Sequence, residues 1–172
     1  MQWSRDRPFG PPSLLDRLDR ARRARAARRY VAHGWTVELH GEMVLLGTGS
    51  ALDAIEVPPG LGAALQKPGR ETPGPVAVTA VGRCIFLVRP GSPLRPELER
   101  RLDVVRHGSG SWVAVAPSRL PEGLVRWAIP PARTGWRLPP ADDVQRLLVD
   151  ALDSRPVARP TVPRQLSTSR RA

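Results

Sequence analysis

The residues best placed to do chemistry are arginines. Arg22, Arg25 and Arg29 recur at i, i+3 and i+7, a spacing that sets them in one stripe along a helix. Such a stripe can neutralise phosphates without reading base sequence. Nucleophiles and metal ligands are scarce by comparison. Cys84 is the single cysteine, so an internal disulfide is excluded and a reducing compartment is implied. One cysteine and the scattered His33, His40 and His107 assemble no zinc ligand set. Cys84, between Arg83 and Ile85, reads as a small buried hydrophobe more readily than as a reactive thiol. His107 beside Gly108 reads as an exposed turn residue, and Asp142-Asp143 after Pro140 as helix N-terminal charge. Trp35 and Trp112 lie in apolar runs and read as core. Trp127 and Trp136 fall near proline-rich loops, where they either pack beneath the loop or stack on a base. No complete catalytic site emerges from these residues.

The formal net charge of +11 is unevenly placed. Residues 1–34 hold nine arginines against three aspartates, and residues 155–172 hold five arginines and no acid. Between them, thirteen basic and thirteen acidic residues cancel. Basic ends fit a phosphate-bearing partner such as DNA or a nucleotide. Lys67 is the only lysine, however, and a GC-rich genome produces the same arginine bias without selection. Both explanations stand at this level.

A chain of 172 residues with 41% hydrophobic and 25% charged residues has the length and composition of one globular domain. Residues 1–10 carry charges and no apolar h-region, so they do not read as a signal peptide. The longest apolar runs, such as 85–88, are too short to span a bilayer, and the default reading is a cytoplasmic protein without a membrane partner.

These residues must be held by short elements, because twenty prolines and fifteen glycines interrupt the chain. Residues 1–12 read as an irregular lead-in. Ser13 is a fitting N-cap for a helix over 14–33 that stops at Gly34, with Ala24, Ala27, Tyr30 and Val31 as its apolar side. Strands are predicted over 35–39, 43–46 and 54–57, with a helical turn or two near 61–66. Residues 76–79 and 84–88 read as a hairpin about Ala80-Val81-Gly82-Arg83. A helix over 96–102, strands over 112–116 and 125–128, and a last helix over 140–152 follow. Val144, Leu147, Leu148 and Ala151 are spaced as the core face of that last helix. The domain spans 13–153, and residues 154–172 read as a disordered basic tail. Helices at both ends around several short strands give a mixed α/β (α+β) class.

Four segments, in order, carry a resemblance. They are Ala27-Arg28-Arg29-Tyr30-Val31-Ala32-His33-Gly34-Trp35-Thr36-Val37; Leu46-Gly47-Thr48-Gly49 running into Leu52-Asp53-Ala54-Ile55-Glu56-Val57-Pro58; Pro73-Gly74-Pro75-Val76-Ala77-Val78-Thr79 through Gly82-Arg83-Cys84-Ile85-Phe86; and Leu102-Asp103-Val104-Val105-Arg106-His107-Gly108 through Trp112-Val113-Ala114-Val115-Ala116-Pro117-Ser118. Together they resemble the bifunctional primase–polymerase (prim-pol) domain of the archaeo-eukaryotic primase superfamily, in the form of a short stand-alone bacterial member. The resemblance covers roughly residues 24–128, and the fourth segment is its most specific part.

The resemblance implies a compact prim-pol-like fold and divalent-metal nucleotidyl transfer at carboxylates, with Mg or Mn as the metal if the domain is active. The family's first motif is a strand-borne Asp-x-Asp; here Glu56 matches the first carboxylate and Pro58 replaces the second. Asp53, three residues away, falls on the opposite face of the strand. The family's histidine after Gly-Arg is Cys84 here, and its third-motif aspartate is Asp103. The catalytic candidates are therefore Glu56 and Asp103, which are also the only candidate metal ligands. Asp103 after Leu102 also fits a turn cap. The long segment that active members carry is missing between His40 and Met43, which removes template-side surface.

Three function classes follow. The leading one is a degenerate prim-pol domain without catalysis or cofactor, binding nucleic acid or nucleotide through Arg22, Arg25, Arg29 and Arg83. The second is an active minimal primase–polymerase using Glu56 and Asp103. The third is a regulatory module that docks a protein partner on the inactive scaffold.

Overall fold

The structure is a computed structural model that describes residues 13–66 and 74–154. The predicted lead-in and, apart from Ser154, the predicted basic tail lie outside the described residues. Helix α1 (Leu14–Ala32) starts at Ser13. The Ser13 hydroxyl accepts the Asp16 amide at 3.2 Å, and the Asp16 carboxylate accepts the Ser13 amide at 3.0 Å. This reciprocal box satisfies N–H groups that a helix start otherwise leaves orphaned. At the other end Gly34 turns the chain with φ of +78°, where a side chain would be strained.

In chain order there follow β1 (Val37–His40), β2 (Met43–Gly47), β3 (Asp53–Val57), α2 (Pro59–Leu65), β4 (Val76–Val78), β5 (Cys84–Val88), α3 (Pro96–Glu99), β6 (Val105–His107), β7 (Trp112–Val115), β8 (Arg119–Leu120), β9 (Gly123–Leu124), β10 (Arg126–Ile129) and α4 (Ala141–Asp153). The fold is mixed α/β. A five-stranded antiparallel sheet runs β10-β4-β5-β3-β6, and a three-stranded one runs β1-β2-β7. The hairpin predicted about Ala80-Val81-Gly82-Arg83 is β4–β5.

The larger sheet is the middle layer. Because side chains alternate across a strand, Ile55, Val57, Phe86 and Val88 face α2, α3 and α4, where Leu98, Val144 and Leu148 complete one core. Ala54, Ala77, Ile85 and Leu87 face the other way and pack on Val44, Leu46 and Val115 of the smaller sheet, with Tyr30 of α1 and Trp35. Continuous apolar strands such as Cys84–Val88, buried along their whole length, are what a middle layer requires. No helix among the described residues is long and apolar enough to cross a membrane.

The second core shifts some expected positions. On α1 the buried residues are Ala27 and Tyr30, both on the predicted side, whereas Val31 of that side is 57% exposed and lies outside the second core. Trp112, expected in the core, is 43% exposed: Val113 and Val115 take the inward positions of β7. The helix predicted over 96–102 is the single turn Pro96–Glu99, and Leu102 lies wholly exposed beyond it.

Helix α2 packs closely on β5 at Gly62. A Cβ on Gly62 would fall 2.3 Å from Cys84 Sγ. Gly62→Ala is therefore expected to cost about 1 to 3 kcal/mol through overpacking. Urea unfolding should show a lower midpoint at unchanged slope.

Candidate functional site

Strand β3 has β5 on one side and β6 on the other. That register gathers Glu56, Arg83 and His107 on one face, although they lie 27 and 51 residues apart in the chain. Glu56 pairs across with Val105, so His107, two residues on, is its diagonal neighbour. Glu56 Oε1 accepts the Arg83 Nε–H, and Oε2 lies 3.0 Å from His107 Nε2. An ionised carboxylate only accepts, so Nε2 is the protonated ring nitrogen in this contact. These contacts, that with His107 foremost and Arg83 adding to it, hold the Glu56 carboxyl at about 2 against the cost of burial. The three side chains line a cavity of about 160 Å³ between the two sheets.

His107 is thus a half-buried strand residue, not the exposed turn residue its Gly108 neighbour suggests. Arg83, a predicted nucleic-acid contact, is turned inward: besides Glu56 it donates to the Asp103 carbonyl at 3.1 Å. The Asp103 carboxylate faces Arg101, which donates to its two oxygens at 2.9 and 2.7 Å. That pair holds Asp103 below the usual carboxylate range. Glu56 and Asp103 are thus each neutralised by a different arginine. Pro58 serves as the N-cap of α2, and Cys84 is buried under Gln66, with burial raising its thiol. The divalent metals that the prim-pol resemblance implies do not fit this donor set. Both Glu56 oxygens are occupied, and among the described residues no group of three or more His, Cys, Asp or Glu is arranged around a common point.

Asp53 answers the prediction made for it. It faces the helices, at 1% exposure, and pairs with Arg106 at 2.7 Å while accepting the Gly91 amide. It is a buried structural carboxylate on the face opposite Glu56.

The predicted arginine stripe does converge on a concave surface. Arg22, Arg25 and Arg29 line a cavity of about 320 Å³ beside α1. Its other walls are Pro117 after β7, Trp127 on β10, and Pro130, Pro131 and Trp136 around the 3-10 turn Pro131–Thr134. Among the described residues no carboxylate lines it. A size near 300 Å³ lies at the small end of ligand sites, about 300 to 1,000 Å³. Past Arg22 and Trp127 the surface continues into a second hollow bordered by Arg23, Arg119 and Arg126, with Asp19 and Leu15.

The aromatic walls are fixed by their own contacts. Trp127 Nε1 donates to Tyr30 Oη at 3.0 Å, and Tyr30 Oη donates to the Ala116 carbonyl at 2.5 Å. Tyr30 stacks on Trp35 with centroids 5.7 Å apart, and burial raises its phenol. Trp136 stacks on His33 at 3.5 Å between centroids, and the Arg29 guanidinium lies 5.2 Å from its ring. Trp136 also has φ of +63°. For a bulky residue that is an outlier costing about 1 to 3 kcal/mol, and it persists only where surrounding contacts over-determine it. The Trp136 amide, donating to Pro131 O at 2.8 Å, is one such contact, and the ring packing supplies the rest.

No protein-family model, curated protein or solved structure matches the chain.

Proposed function

We propose that this protein is a non-catalytic, prim-pol-like domain that binds nucleic acid along α1. The observation that carries the reading is the convergence of Arg22, Arg25 and Arg29 with Trp127 and Trp136 on one acid-free cavity. Arginines supply phosphate contacts and Trp127 supplies a face for a base, with Trp136, stacked on His33, as a wall beside it; this is the pairing of chemistries that nucleic-acid grooves use. The non-catalytic half of the reading is supported by Glu56, whose two oxygens are held by Arg83 and His107.

The test has two arms. A labelled oligonucleotide should bind with an affinity that falls steeply as salt rises, and no nucleotide should be incorporated on a primed or unprimed template with magnesium or manganese. Template-dependent incorporation abolished by Asp103→Ala would establish the enzyme instead. Absence of binding even at low salt would transfer the proposal to protein docking, a second reading that the exposed Leu14, Leu15 and Leu18 on the first turns of α1 favour.

A further inference from the structure

We infer that the cavity beside α1 is a nucleobase slot, and that the ligand it selects is single-stranded nucleic acid. The inference rests on the nucleic-acid reading above and goes further by assigning what enters the cavity. Its rim and its interior differ chemically. Arg25 and Arg22, the latter in a long exposed contact of 3.5 Å with Asp19, stand on the exposed side of α1, where a phosphate backbone can reach them. The interior is formed by Trp127, Trp136, Pro117, Pro130 and Pro131, a largely apolar lining into which only Arg29 of the three arginines reaches, over the Trp136 ring. A concave apolar site rimmed by cations fits a flat, π-faced group attached to an anion, which is the chemistry of a nucleotide within a strand. In a duplex, both faces of each base are covered by its neighbours, so a base enters such a slot only from an unstacked strand.

Three further observations support the assignment. The Trp127–Tyr30–Ala116 hydrogen-bond chain fixes the floor before any ligand arrives, so little ordering entropy is lost on binding. Trp136 occupies left-handed backbone space in the wall of the same cavity, and strain of that kind clusters at ligand sites. Arg119 and Arg126 border the adjoining hollow, where Arg23 is paired with Glu42 and Asp19 with Arg22, so the two outer arginines extend the basic track beyond one nucleotide.

Three fluorescently labelled probes decide it on the full-length wild-type protein: an oligothymidylate, an abasic strand of the same length, and a duplex. Each base stacked on an aromatic contributes a factor of roughly 5 to 150 in affinity. The oligothymidylate is expected to bind at least about 10-fold more tightly than the abasic strand, with the same salt slope, and to quench tryptophan fluorescence where the abasic strand does not. Trp127→Leu should erase that difference while leaving the abasic affinity unchanged, since the Trp136 ring is already stacked on His33. Equal binding of the two single strands would overturn the slot and leave the nucleic-acid reading standing. Tighter binding of the duplex would overturn the choice of a single strand. Failure of all three probes at low salt would remove the underlying reading as well. Tryptophan quenching by polyglutamate at a matched affinity would assign the groove to an acidic peptide instead.

Discussion

Replacing Arg22, Arg25 and Arg29 together by glutamine is expected to weaken binding of a single strand about 100-fold at roughly 0.1 M salt. The size follows from counterion release. Each phosphate neutralised on a single strand adds about −0.7 to the slope of log affinity against log salt, so three contacts flatten it by about 2. On duplex DNA the same change is nearer 2.7, from about −0.9 per contact. Glutamine keeps helix propensity, and Arg22 and Arg25 are exposed, so the fold should be retained. The alternative origin of these arginines, a genome rich in GC, predicts an unchanged slope. A control is available in Arg83, which is engaged with Glu56 and the Asp103 carbonyl and should not contribute to the slope. Its substitution should instead lower stability.

The second large effect concerns acid. The Glu56 carboxyl sits at about 2 in the folded protein, below its ordinary value of about 4.3 in an unfolded chain. A lowered folded-state pKa means that the stabilisation is fully present above the unfolded value and is lost as pH falls toward the folded one. Stability should therefore decline between about pH 5 and pH 2, with Glu56 contributing on the order of 3 kcal/mol to the drop. Glu56→Gln should lose about 2 to 3 kcal/mol at neutral pH, because Arg83 is left half-buried without its anion. The variant should also show a shallower decline in acid, measured by urea unfolding across that range. A decline as steep as the parent's would mean that other carboxylates, Asp16 and Asp103 among them, carry the acid sensitivity.

The opposite roles of Glu56 and Arg22 were legible to different degrees, and the reason is range. A helix start is a local event: Ser13 and Asp16 lie three residues apart, and their reciprocal hydrogen bonds follow from that spacing alone. The arginine stripe is local in the same way, since helical geometry places i, i+3 and i+7 together before any packing. Strand alternation, likewise, was enough to put Asp53 and Glu56 on opposite faces of one strand. Gln145 marks the limit of such reasoning. It lies outside the predicted core face of α4, yet it is fully buried, accepting the Arg95 amide at 2.6 Å and donating to the Pro93 carbonyl at 2.9 Å.

His107 shows what lies beyond local rules. Nothing in His107-Gly108-Ser109 distinguishes a turn histidine from a carboxylate partner. Only the pairing of β6 against β3 brings its ring to Glu56, and the pairing of β5 on the other edge brings Arg83. The same holds for Trp127 and Trp136, which the chain alone left between packing and base stacking. Tyr30 and Ala116 set the one from distant parts of the chain, and distant His33 together with the nearby Pro131 carbonyl sets the other. By itself, the sequence determined the α/β class and the capped arginine helix, because helix periodicity, strand alternation and residue identity are short-range properties. The closing of Glu56 between Arg83 and His107, and the meeting of Arg22, Arg25 and Arg29 with two tryptophans, were decided by tertiary structure. Both depend on which strand lies beside which, and that order is set by the packing of three layers as a whole.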